Sequence, residues 1–147
     1  MFNFKELLDG IFNEGSHEYS VIELSYQMIV GTIPSTPAEM KTQMVQLDQQ
    51  RTELSTLYYL LSREINYLKD DIQKETDATY VRLVKLGRPS KDAIETELRA
   101  TNETYAVGSL KLENYIALRE LVLSYIRSID SRKQTVVELL RNSYRVD

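Results

Sequence analysis

Apolar residues recur in threes and fours along most of this chain. From Met40 onward, Met44, Leu47, Leu54, Tyr58, Leu61, Ile65, Leu68, Ile72 and Leu86 keep a 4-3 heptad rhythm, with Arg51, Glu75, Thr79 and Arg82 at the remaining seam positions. The rhythm predicts a long helix whose seam is apolar in the middle and polar near its end. Thr36-Pro37-Ala38-Glu39 starts it: the Thr hydroxyl can accept from the third helical amide, Glu39 can reach back, and Pro at the first helical position loses no hydrogen bond. Leu86-Gly87-Arg88-Pro89-Ser90 ends it, since Gly can take a left-handed cap, Pro cannot continue the helix, and Ser90 can cap the next one. Roughly fifty residues at 1.5 Å each give a rod of about 75 Å, too long to bury its stripe without a partner helix.

That partner is predicted from about Lys91 towards Ser143. Ile94, Leu98, Tyr105, Leu112, Tyr115, Val122, Ile126, Ile129, Val136 and Leu140 form one seam. Ile116, Leu118, Leu121, Leu123, Tyr125, Val137 and Leu139 widen it beyond what a two-helix seam requires, a surplus usually buried against further subunits. Asn102, Gly108 and Ser109 are candidate bend positions within this helix. The first 35 residues are less regular. Phe4, Leu7, Leu8, Ile11 and Phe12 predict a short amphipathic helix stopping at Gly15, whereas the β-branched, partly alternating stretch Tyr19–Val30 suits helix and strand equally. The expected fold is therefore all-α: a long helical hairpin or coiled-coil-like bundle over 36–147, turning near 87–90, with a short N-terminal helical region over 1–35, the whole oligomeric.

Composition narrows the function. The 147 residues suffice for one domain, and 42% hydrophobic with 27% charged residues is too apolar for wholesale disorder. With no Cys there is neither a disulfide framework nor a thiolate metal site. No apolar run is long enough to span a membrane, and Lys5, Glu6 and Asp9 interrupt the residues a signal peptide would need, so a cytosolic protein without membrane partners is expected. His17, the lone imidazole, has no Cys or carboxylate cluster around it in sequence. Acidic pairs such as Asp70-Asp71 and Glu95/Glu97 alternate with Lys and Arg, as on a solvated helix face. Phosphate loops, nucleophile elbows and His-Glu zinc motifs are absent, so neither catalysis nor a cofactor is expected.

One charge feature stands apart. Between Thr79 and Lys91 lie Arg82, Lys85, Arg88 and Lys91 with no acid, at the hairpin tip. Repeated side by side in an oligomer, these cations would suit a phosphate backbone read without sequence preference. Alternatively they form a solvated turn, because cations near a helix C-terminus favour its dipole without any ligand. Tyr80 beside them is the plausible base-stacking residue, whereas Tyr105 and Tyr115 fall on the core seam. Arg127, Arg132, Lys133, Arg141 and Arg145 make a looser basic set, diluted by Asp130, Glu138 and Asp147. The net charge of −4 runs against a generic nucleic-acid coat.

Ile94-Glu-Thr-Glu-Leu98, Lys111-Leu-Glu-Asn-Tyr115 and Ser128-Ile-Asp-Ser-Arg132 with Val136 resemble the C-terminal half of the UvsY-type recombination mediators of tailed phages, over some 60 residues. The family's Ile-x-Ser-Arg tetrad is matched by Ile129-Asp-Ser-Arg132, and its Arg-Leu pair before the turn by Arg82-Leu83. A nearby family lysine is missing, with Thr79 and Tyr80 in its vicinity, and Gly31-Thr-Ile-Pro34 replaces a basic segment. The resemblance implies a ring-like homo-oligomer that binds single-stranded DNA and helps a RecA-like recombinase displace a single-strand binding protein, in the host cytoplasm if phage-encoded. The competing expectation is a structural or assembly protein whose helical hairpin only joins subunits and binds no nucleic acid.

Overall fold

The computed structural model describes residues 8, 9 and 11–144. Helix takes 86% of these residues, and no strand occurs among them. From His17 onward the described residues form four helices in order: α1 (His17–Val30), α2 (Pro37–Val84), α3 (Lys91–Thr101) and α4 (Glu103–Ser143). Of the short helix predicted before Gly15, Phe4 and Leu7 lie outside the described residues, while Leu8, Asp9 and Ile11 are helical and Leu8 is buried.

The stretch that periodicity left open is helical. A lone strand there would leave its backbone groups without a ladder, whereas the helix finds both ends prepared. Ser16 caps it by accepting from the Tyr19 amide at 3.2 Å, and Glu18 sits in the first turn, where a negative charge suits the dipole. Tyr19, Ile22 and Ser25, spaced by three, are buried together with Val21. At the other end the Gly31 amide donates to the Gln27 carbonyl at 3.0 Å. A Cβ on Gly31 would lie 3.0 Å from that oxygen, a tight contact that the cap could accept only by shifting a few tenths of an ångström.

The signals bounding α2 act as the sequence predicts. Thr36 Oγ1 accepts from the Glu39 amide at 3.3 Å. After Val84 the Leu86 and Gly87 amides donate to Leu83 and Val84, Gly87 adopts φ +124°, and Ser90 Oγ accepts from the Ala93 amide at 3.1 Å to open α3. The partner helix is not continuous. It breaks at Asn102, and the helix resumes before Gly108 and Ser109, which stay helical. Asn102 serves both ends: its amide donates to Leu98 as the C-cap of α3, and its Oδ1 accepts from the Tyr105 amide at 2.9 Å as the N-cap of α4. Its Nδ2 donates to Glu75 Oε2 at 2.6 Å, which accounts for one polar seam position of α2.

The chain divides into two compact units. The first comprises residues 1–60 and 118–147 and packs α1 against the opening half of α2 and the closing half of α4. Leu47, Leu54, Ile22, Leu118, Val122 and Val136 are fully buried there. Each such aliphatic side chain contributes roughly 1.5–3 kcal/mol relative to exposure. One polar group sits among them: Gln50, buried, donates from Nε2 to Val21 O at 2.8 Å and to Ser25 Oγ at 2.7 Å, and Ser25 Oγ donates to Val21 O. Burying these groups is tolerable because they satisfy one another, and the geometry is met at one docking position of α1.

The second unit, residues 61–117, is a helical hairpin made of the end of α2, the turn, α3 and the start of α4. Its arms are antiparallel, since Ile72 lies beside Gly108, Glu75 bonds Asn102 and Arg82 bonds Glu97. Leu61, Ile65 and Leu98 are fully buried, and Thr79, a polar seam residue, is buried with them. Leu68, Ile72, Tyr105, Leu112 and Tyr115 are only half-buried, as two helices alone cannot enclose a seam. Leu86, assigned to the seam by periodicity, lies past the end of α2 and is 87% exposed.

Candidate nucleic-acid interface

Arg82, Lys85, Arg88 and Lys91 lie at the hairpin tip, where the last turn of α2 runs through Gly87 and Pro89 into α3. All four are exposed. They are not equivalent. The Arg82 guanidinium donates from Nη2 to Glu97 Oε1 on α3 at 3.0 Å, so the stretch that is acid-free in sequence acquires an acid in space. Among the described residues none of the ion pairs involves Lys85, Arg88 or Lys91, which leaves three cations facing solvent. Tyr80 is exposed as well, with Val81, Val84 and Leu86 beside it along the chain. The tip therefore combines positive charge with uncovered apolar surface.

Glu97 is the residue that linear reading missed at this site. Reflection about the turn at 87–90 brings position 82 only to the neighbourhood of 95, a stretch that holds both Glu95 and Glu97, and the closed hairpin selects Glu97.

Two members of the looser basic set, Arg132 and Lys133, are engaged within the fold. Arg132 donates from Nη1 to the Gly31 carbonyl at 2.7 Å and the Ile29 carbonyl at 3.3 Å, from Nη2 to the Thr32 carbonyl at 2.7 Å, and from Nε to Gln43 Oε1 at 3.2 Å. It thus gathers the carbonyls left over where α1 ends, a use to which the planar, multi-donor guanidinium is suited. Its neighbour Lys133 pairs with Asp48. Asp130 accepts from Arg51 Nε at 2.6 Å, and this carboxylate holds the Arg51 guanidinium above its ordinary pKa, by the hydrogen bond first and by its charge second. So three side chains of Ile129-Asp-Ser-Arg132 are engaged within the chain: Ile129 in the core, Asp130 on Arg51, Arg132 on the α1 terminus. Arg145, the last of that basic set, lies outside the described residues.

The aromatics divide as expected for packing. Burial raises the Tyr115 and Tyr125 hydroxyls above the ordinary tyrosine value, with lesser contributions from Glu64 and Tyr26 respectively, so both stay neutral and lodged against the helices. Lys111 also lies 5.6 Å from the centre of the Tyr115 ring. His17, expected to be exposed and without partners for a metal or catalytic role, is exposed and bonds Glu53 Oε2 at 2.9 Å. The pair is exposed and spans α1 and α2. No group of three or more His, Asp or Glu placed to hold a metal occurs among the described residues, and no helix among them is long and apolar enough to cross a membrane.

The chain matches no protein-family model, no curated protein and no solved structure. The likeness to UvsY-type mediators thus rests on the residues quoted for it, and function has to be argued from the tip and the fold.

Proposed function

We propose that the protein is a non-enzymatic recombination mediator, an oligomer that binds single-stranded DNA through its hairpin tips and helps load a RecA-like recombinase against a single-strand binding protein. The observation that carries this reading is the group Lys85, Arg88 and Lys91, three exposed cations outside every ion pair among the described residues, next to an exposed Tyr80. Phosphates would be held by charge, and Tyr80 would offer a face on which any base can stack, so binding would be tolerant of sequence. The chemistry of strand exchange would stay with the recombinase. The half-buried seam of the hairpin, away from its tip, supports association of several copies, which would multiply the few cations of each free tip.

A second reading, an assembly protein without affinity for nucleic acid, is favoured by the fate of the other cations. Arg82, Arg51, Arg132 and Lys133 are all occupied within the chain. Fluorescence anisotropy with a labelled single-stranded oligonucleotide, titrated with salt, separates the two. Wild type is expected to bind at low salt, and Lys85→Ala/Arg88→Ala/Lys91→Ala to bind more weakly, with a salt slope shallower by about 2 if each cation meets one phosphate at about 0.7 per contact. Absence of binding by a folded, associated wild type would leave the assembly reading.

A further inference from the structure

Charge is distributed unevenly between the start of the chain and the rest. From Glu6 to Met40 there is no Lys or Arg, and six acids: Glu6, Asp9, Glu14, Glu18, Glu23 and Glu39. The residues from Lys41 onward hold 17 of the 18 cations and 16 of the 22 acids, and are close to neutral. The acidity of the whole molecule therefore belongs to the segment that contains α1.

In the first unit a surface groove of 740 Å³ runs between α1 and α2, with Val21 and Leu24 on one side and Gln49 and Glu53 on the other. A smaller hollow of 80 Å³ shares His17, Val21 and Glu53 with it and adds Glu18. The groove sets two apolar side chains, Val21 and Leu24, among polar ones, and its acidic rim groups are Glu18 and Glu53, the second bonded to His17 on the same rim. Leu24, on its wall, is about half exposed. The floor is fixed rather than pliable, since Gln50 is held in place by Val21 and Ser25.

The chain carries a surface of the opposite character. At the hairpin tip Leu86 is the most exposed of the large hydrophobic residues described, and it stands between Val84 and Gly87 with Lys85 and Arg88 on either side. An apolar knob flanked by cations matches the exposed Leu24 on a groove wall that has carboxylates on its rim. We infer that the α1–α2 groove is a docking site for the hairpin tip of a second copy of this chain, with Leu86 lodged beside Leu24 and with Lys85 and Arg88 facing Glu18 and Glu53. Such a contact joins two different surfaces, so it is heterologous and generates a ring if the rotation closes and a filament if it does not. It rests on the proposed DNA-binding reading in one respect only: a single strand and the groove use the same tip cations, so each excludes the other. In this way the groove of one copy regulates the tip of another by competing for its cations.

Sedimentation velocity on the full chain, at low and high salt, tests the contact. Association is expected to weaken at least tenfold in Leu86→Ser, a change at a side chain that supports no part of the fold, and similarly in Lys85→Glu/Arg88→Glu and in Glu18→Lys/Glu53→Lys. The variant combining both reversals should recover to within about threefold of wild type, because exchanged charges still attract. An unaltered association constant for Leu86→Ser, or a combined variant no better than the weaker of its parents, would overturn the inference. Anisotropy on the same proteins keeps the two readings apart. Rescue of association without any DNA binding by wild type sinks the mediator reading and leaves the docking site, whereas DNA binding by wild type without rescue does the reverse.

Discussion

A single side chain, Arg132, fixes how α1 hands over to α2. Four of its hydrogen bonds reach Gln43 and three backbone carbonyls, and the carbonyls of Ile29 and Gly31 belong to the end of a helix that has no basic residue in its last turn to satisfy them. Arg132→Ala removes all four hydrogen bonds at once. Because the guanidinium is half-exposed and water can replace part of what it gives, the loss should fall near the value of one or two charge-assisted bonds, about 2 kcal/mol. Urea denaturation should show it as a lowered midpoint at unchanged slope. Arg132→Lys should recover less than half, since an ammonium cannot reach so many acceptors in fixed directions. Nothing in the local sequence announces this role. Arg132 reads there as one of several cations near the C-terminus, and its partners lie about a hundred positions earlier, at Ile29, Gly31 and Thr32. Contacts of that span depend on tertiary packing, which periodicity cannot supply.

At the scale of elements, far more was legible. The capping chemistry at Thr36 and Ser90, the positive φ at Gly87, and the buried positions Leu47, Leu54, Leu61 and Ile65 follow from heptad spacing and local backbone physics. Two elements were less transparent, for different reasons. Tyr19–Val30 has no decisive period, and its helix depends on a cap at Ser16 and on burial of Ile22 and Ser25, of which only the cap is local. The break at Asn102 needed more than composition, because Asn at mid-helix costs little by propensity alone. What makes it a break is the threefold use of Asn102: its amide on Leu98, its Oδ1 under Tyr105, and its Nδ2 on Glu75 across the hairpin. Asn102→Ala should therefore cost about 1–2 kcal/mol, from loss of the cap and of a bond to a carboxylate. Helicity should hold or rise slightly, since α3 and α4 would then be free to run on as one helix. Thermal unfolding followed by circular dichroism measures both, and a lowered midpoint with undiminished starting ellipticity is the expected outcome.

For the molecule as a whole, the question is where its positive charge is available. The candidate site was legible as a cluster in sequence, yet its strength was not, because Glu97 enters only when the hairpin closes and places it 3.0 Å from Arg82. An exposed pair of this kind contributes little to stability, of order 0–1 kcal/mol. Its larger effect is on the surface field, since Glu97 cancels one of four tip cations and sits where a phosphate would otherwise compete for the guanidinium. Glu97→Gln keeps the size and a hydrogen-bonding oxygen while removing the charge, so the fold should tolerate it with a denaturation midpoint near that of wild type. If the tip takes single-stranded DNA, this variant should bind more tightly at low salt, and its slope of log affinity against log salt should steepen by about 0.7, the increment expected for one added phosphate contact. Arg82→Ala supplies the converse control. In wild type Arg82 is already engaged, so its removal should change the slope by less than removal of Lys85, Arg88 or Lys91, and in a Glu97→Gln background it should abolish the gain. A gain in Glu97→Gln that survives Arg82→Ala would mean that Glu97 acts through the general field of the tip rather than by occupying one guanidinium. The double-mutant comparison reads that difference directly as the coupling between the two side chains.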